Sequence, residues 1–210
     1  MKLKYYTASK VNEEWSTETA VGTDWSFLPE TVSAALYPNF IDVSQPPLGN
    51  LSVEGEEAEI KKILLMQESL TTEDKNFIKN VDSDLPSVYY QWLALRGEKP
   101  NMQNIRGCGL TEDEKSMIVK IKNGIKRPRP FIDNNSIKSQ CGKISGYSYP
   151  SKTTTEAYVM AERLCEKYPQ LREGLYALAN KVANSRIQGG VHYPTDVEAG
   201  KSIAKGLLAK

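Results

Sequence analysis

Three short stretches of this chain place cations, hydroxyls and an imidazole where an anion could be held and attacked. The first is Lys122-Asn123-Gly124-Ile125-Lys126-Arg127-Pro128-Arg129-Pro130. Arg129 stands between two prolines, each of which biases its predecessor away from helix. A guanidinium held in this way offers the planar fork of donors that bidentate phosphate binding needs. A solvated basic turn complementing a helix dipole would use the same residues. The second stretch is Tyr149-Pro150-Ser151-Lys152-Thr153, where extended chain turns into helix. Amides and a hydroxyl at a helix start make an anion site, and Lys152 adds charge, although Ser and Thr also stand there simply as N-caps. The third is Ser185-Arg186-Ile187-Gln188-Gly189-Gly190-Val191-His192-Tyr193-Pro194-Thr195-Asp196, which holds the only histidine of the chain. His192 lies between a Gly-Gly break and a Pro-initiated helix, four residues before an Asp in the first helical turn. A carboxylate so placed accepts from one ring nitrogen and aims the other outward, the layout of an oriented nucleophile or base.

The elements that must position these residues read as helices. From Val53, Ala58, Ile60, Ile63, Leu64, Met66 and Gln67 recur at helical spacing behind Glu54, Glu56 and Glu57. Thr72-Glu73-Asp74-Lys75 opens a short helix through Phe77 and Ile78, and Asp84-Leu85-Pro86 opens one through Trp92 and Leu95 that Gly97 stops. Thr111 and Glu114 form a capping box before Met117, Ile118, Val119 and Ile121, with Gly124 and Pro128 ending that helix. Residues 131–150 are rich in Asn, Ser, Gly and Lys and read as an extended loop. A loop of that length inside a domain is uncommon unless it is functional. Thr153 and Glu156 predict a second capping box, and Pro169 and Pro194 start the last two helices. Strand signals are almost absent, so a single all-α domain over residues 55–210 is expected. Residues 1–54 carry Trp15, Trp25 and several prolines without periodicity and read as an irregular arm packed on the core.

Composition narrows the functional classes. The chain has 210 residues, 27 Lys+Arg against 26 Asp+Glu, and 40% apolar residues. A net charge of +1 leaves no global field to gather nucleic acid, so any anion site is local. No stretch approaches the ~18 uncharged apolar residues of a membrane span. No apolar region follows Lys2 and Lys4, so a secretory signal is not readable. A cytoplasmic location is therefore expected, or a periplasmic one if the chain starts at a processed N-terminus. Cys108, Cys141 and Cys165 are odd in number and widely spaced, which suits reduced thiols. One His and no Cys-x-x-Cys exclude a His-rich or Cys-rich zinc site, and no Gly-x-Ser-x-Gly elbow is present for acyl hydrolysis.

Taken together, the three stretches resemble the signature of the phosphatidic acid phosphatase and vanadium haloperoxidase superfamily, most closely its bacterial class A nonspecific acid phosphatases. That pattern is Lys, six residues, Arg-Pro; then Pro-Ser-Gly-His; then Ser-Arg, five residues, His, three residues, Asp. Lys122, Arg129 and Pro130 match the first part, and Ser185, Arg186, His192 and Asp196 the third. The resemblance covers roughly residues 50 to 210. It implies an all-α helical bundle of that type and a phosphohydrolase needing neither metal nor cofactor. Lys122, Arg129, Ser151, Lys152 and Arg186 would hold phosphate, His192 would attack phosphorus, and Asp196 would orient it. A small phosphorylated substrate is the expected partner, with inorganic phosphate or vanadate as inhibitors; the oligomeric state stays open, a homodimer among the options.

The middle element departs from the pattern, since Lys152 replaces Gly and Thr153 replaces the His that would protonate the leaving alcohol. Loss of a general acid costs about 10²- to 10⁴-fold. The expected activity is therefore hydrolysis of phosphomonoesters or phosphoanhydrides with good leaving groups. The alternative is a catalytically impaired relative that binds phosphate or phosphorylated ligands. Lys126 and Arg127, between the matching positions, are expected to contribute little.

Overall fold

The computed structural model describes residues 53–142 and 144–209, and the arm expected over residues 1–54 lies outside them except that Val53 and Glu54 already belong to the first helix. All regular secondary structure among the described residues is helical, without strands. In order come α1 (Val53–Glu68), α2 (Thr72–Ser83), α3 (Leu85–Ala94), α4 (Met102–Gly107), α5 (Glu112–Ile125) and α6 (Pro130–Asp133). After an irregular loop follow α7 (Lys152–Lys167), a 3₁₀ turn (Pro169–Leu171), α8 (Arg172–Gln188) and α9 (Pro194–Leu208).

Local chemistry sets most of these boundaries. Thr111 Oγ1 accepts from Glu114 N at 3.3 Å while Glu114 Oε2 accepts from Thr111 N at 2.8 Å, the expected capping box of α5. The box expected at Thr153 and Glu156 is not formed. Ser151 is the N-cap, accepting from Thr154 N at 3.4 Å, so α7 opens two residues earlier than Thr153 would have it. Gly124 does not end α5 either; the helix runs to Ile125 and stops at Lys126, whose φ of 53° is left-handed. The stretch read as loop begins instead with α6, which Pro130 starts. Helix α4 had no signal at all, because six residues are too few for periodicity; the Asn101 side chain caps it.

The long helix α7 is the centre of the packing, lying against both α8 and α9. Its Ala157, Met160, Ala161 and Leu164 join a core with Tyr89 and Leu93 of α3 and Leu175, Ala179 and Val182 of α8. Val159 faces a second cluster with Ile118 and Ile121 of α5 and Ile203, Ala204 and Leu207 of α9. A third joins Ile63 of α1 to Ile187 of α8 and Val197 of α9. Each fully buried aliphatic side chain contributes roughly 1.5–3 kcal/mol before chain entropy is counted. The apolar layers thus bring the start of α7, the end of α8 and the start of α9 to one end of the bundle.

Two glycines permit that convergence. A Cβ at Gly200 of α9 would lie 2.7 Å from Ser151 O and 3.0 Å from Thr154 Cβ, so the helices touch through backbone. Thr155 Oγ1 donates to Gly200 O at 3.1 Å across the same seam. Gly190, at φ +70°, turns the chain out of α8 where a Cβ would meet Gln67 Nε2, Ile137 Cγ2 and Lys138 O at 2.8 Å. There Gln67 of α1 donates to Lys138 O at 2.6 Å and Gln188 O at 3.0 Å, fastening the loop to the end of α8.

Candidate active site

Between α8 and α9 the chain carries His192, 5% exposed, and one turn into α9 lies Asp196, 0% exposed. Pro194 starts the helix and Asp196 Oδ2 accepts from Tyr193 N at 2.8 Å, which fixes the carboxylate in the first turn. His192 Nδ1 stands 3.4 Å from the same oxygen. It is not aligned for a hydrogen bond and is the one buried side-chain nitrogen or oxygen among the described residues without a hydrogen-bond partner. The other ring nitrogen, Nε2, lies 3.4 Å from Arg129 Nη1. The structure thus places a carboxylate oxygen behind Nδ1, close but without the hydrogen bond the sequence reading expects, and a cation beside Nε2.

Arg129 is buried and held by three backbone carbonyls: Nε donates to Gly146 O at 3.0 Å, Nη1 to Val191 O at 2.9 Å and Nη2 to Ser145 O at 3.2 Å. Five N–H groups serve these three acceptors, so donors remain for a ligand. Arg186 is 2% exposed and turned toward α2, giving Nη2 to Ile78 O at 3.0 Å and standing 3.4 Å from Asp82 Oδ1. Lys122 donates to Tyr147 O at 2.8 Å and Ser148 O at 3.1 Å, which leaves its third N–H. Ser151 is fully buried; its amide donates to Asp196 O at 2.9 Å, tying the starts of α7 and α9 together. Lys152 is exposed at the first residue of α7, and Thr153 beside it is half-buried.

Charge and burial together set the protonation states. Burial, only partly offset by the Asp196 carboxylate, pushes the His192 imidazole down to about 3, with Arg129 and Lys122 acting in the same direction. Burial would raise the Asp196 carboxyl, but Arg127 and His192 outweigh it and hold it at about 2. Desolvation and the Arg129 charge lower the Lys122 ammonium to about 7. Burial brings Arg129 down to about 10. Near neutrality the site therefore holds an ionised Asp196, an uncharged imidazole and charged arginines.

The sequence reading missed two residues. Arg127, expected to contribute little, is 5% exposed and bridges Glu59 Oε2 at 2.7 Å and Asp196 Oδ1 at 2.8 Å, with its guanidinium 3.7 Å from the Tyr193 ring centroid. Glu59 of α1 accepts from Arg127 and, through Oε1, from Thr195 N at 2.7 Å and Thr195 Oγ1 at 2.8 Å. The available signal was its phase: Glu59 precedes the buried Ile63 by four residues and so shares its face.

Residues 115–209 match the model of the PAP2 superfamily. All three motif stretches fall within the PAP2 match, whereas Glu59, Ile78 and Asp82, which hold Arg127 and Arg186, lie outside it. An acid phosphatase from Zymomonas mobilis subsp. mobilis is 29% identical over an alignment of 141 residues that covers 62% of this chain. The match covers 53% of that relative, so this chain spans about half the length of the curated protein it resembles. A solved transmembrane PAP2 type phosphatidylglycerolphosphate phosphatase from Bacillus subtilis shares the fold, with a TM-score of 0.53 and 18% identity over 88% of this chain and 89% of that one. No described helix here is long and apolar enough to cross a membrane. Among the described residues no group of three or more His, Cys, Asp or Glu could hold a metal ion.

Proposed function

We propose that this protein hydrolyses phosphoric monoesters or phosphoanhydrides through a phosphohistidine at His192, in the manner of an acid phosphatase with a class A type of site. The observation that carries the reading is the placement of His192, with the Asp196 carboxylate 3.4 Å behind Nδ1 and Arg129 3.4 Å from Nε2. Nε2 attacks phosphorus, the P–O bond to the leaving group breaks, and that oxygen departs with the bonding electrons. Water then cleaves the P–N bond and restores the imidazole. Arg129, Arg186, Lys122 and Ser151, with Lys152 at the rim, supply the positive charge and donors that trigonal-bipyramidal phosphorus requires. The protonation states agree with work in acid: His192 keeps its lone pair above about 3 and Lys122 keeps its charge below about 7. Likeness to the Zymomonas acid phosphatase supports the same class.

Thr153 sets the preference within that class. A Thr hydroxyl is too weak an acid to protonate an alkoxide, so leaving groups that are stable as anions are favoured. The exposed Lys152, at the first residue of α7, adds a cation that a second phosphate of an anhydride would use. The test is intact-mass analysis of the full chain quenched within milliseconds of mixing with an aryl phosphate. A phosphoryl adduct on His192, absent from His192→Ala, is expected. Phosphate binding without an adduct or turnover would instead establish the impaired, ligand-binding alternative.

A further inference from the structure

Both sides of the Arg127 guanidinium fork are spent on carboxylates of other elements. Nη2 meets Glu59 Oε2 of α1, and Nη1 meets both Asp196 Oδ1 and Thr195 Oγ1 of α9. The Tyr193 ring lies against the guanidinium. Glu59 in turn takes the Thr195 amide, so one arginine and one glutamate hold three residues, Tyr193, Thr195 and Asp196, at the N-cap and first turn of α9. These groups are nearly excluded from water, with side chains of Arg127, Glu59 and Asp196 exposed by 6%, 8% and 0%. Buried charges of this kind are costly, and removing one partner leaves the other uncompensated.

The charges facing Asp196 are Arg127 with Glu59 behind it, His192, Arg129 and Lys122. Of these only Arg127 touches the carboxylate in an ion pair of hydrogen-bonding length. An ionised Asp196 puts negative charge 3.4 Å from Nδ1 and so favours the proton of a neutral His192 there even without an aligned hydrogen bond, leaving the Nε2 lone pair for attack. A protonated Asp196 donates to Nδ1, which moves the imidazole proton to Nε2 and removes the nucleophile. We propose that Arg127, seated by Glu59, is a positioning residue that keeps Asp196 ionised and thereby selects the Nδ1–H tautomer of His192. This role rests on the phosphohistidine reading for its link to turnover, but the tautomer is observable without turnover.

The chain has a single histidine, so ¹⁵N-imidazole NMR of the full-length protein, prepared without a histidine tag, reports His192 alone. The wild type should show a protonated Nδ1 and a free Nε2 near neutral pH. Arg127→Met should move the population to Nε2–H and lower kcat/KM by on the order of 10²-fold or more, as wrong-tautomer variants of other oriented imidazoles do. Its inhibition by inorganic phosphate should change by less than about tenfold, because Arg129, Arg186 and Lys122 remain. Glu59→Gln should keep the Nδ1–H tautomer, since Arg127 still meets Asp196. If Arg127→Met does not fold, Glu59→Gln combined with Arg127→Met removes both members of the buried pair and should show the same tautomer exchange. An Nδ1–H signal unchanged in the folded single or double variant overturns the proposal, whatever the rate does. A tautomer exchange in a protein that forms no phosphohistidine would retain the positioning role and discard the proposed reaction.

Discussion

Under the proposed reaction Thr153 stands where the resemblance would have a proton donor, and its surroundings give that assignment a definite test. Lys152 has helical backbone, not the left-handed conformation in which only a glycine is comfortable; among the described residues Lys126 is the one non-glycine with positive φ. Restoring glycine at 152 therefore relieves no strain, and Thr153→His alone should rebuild the proton donor. In the wild type, rates across a series of phosphate esters should fall steeply as the leaving alcohol becomes more basic. Thr153→His should flatten that dependence and raise the alkyl monoester rate on the order of 10²-fold. A wild-type series already insensitive to the leaving group would mean that another donor serves the site. The motif residues could be read from sequence because their spacing is local: His192 and Asp196 are one helical turn apart, and two prolines fix Arg129. Arg127 could not be read so, and Glu59 only through its phase with Ile63, because each looks solvated until the other, 68 residues away, is brought beside it.

The site's geometry is set at the level of elements by the seam between α7 and α9. Gly200→Ala places a methyl group 2.7 Å from Ser151 O, a backbone atom that cannot swing aside. The starts of the two helices must then part, stretching the 2.9 Å bond from Ser151 N to Asp196 O. We expect a loss of about 1–3 kcal/mol in denaturant titrations, typical of overpacking, with a fall in kcat larger than the change in KM. Wild-type stability and rate in this variant would show that the seam is looser than its distances imply. Most helices were legible because α5, α7 and α9 present distinct apolar and polar faces over several turns. What failed was the choice among capping residues: Ser151 and Thr153 are equal as hydroxyls, and only the position of α9 decides which one caps α7. The short α4 and α6 were hidden because neither spans enough turns to show a period.

At the scale of the whole molecule, the buried charges make folding itself sensitive to acid. His192 drops from its ordinary 6.5 to about 3 in the fold, so below 6.5 the unfolded chain takes a proton that the folded chain refuses until about 3. Stability is therefore lost as pH falls through that interval, by about 1.4 kcal/mol per pH unit for one proton. Asp196, lowered from 3.8 to about 2, adds a further loss below its ordinary value. Urea titrations between pH 6 and 4 should show that slope in the wild type and a much flatter line in His192→Asn; parallel lines would place the proton uptake elsewhere. Acid that suits the proposed chemistry thus erodes the fold. The ties from Glu59 to Arg127 and Thr195 have a consequence for synthesis as well. Glu59 leaves the ribosome early, and its partners 68 and 136 residues further on come much later. Every nascent intermediate that stops short of Arg127 therefore carries a Glu59 carboxylate without its counter-charge, and one that stops short of α9 still lacks the Thr195 amide that Glu59 takes. Competence arrives in one late step, when the first turn of α9 closes a circuit that α1 has held open.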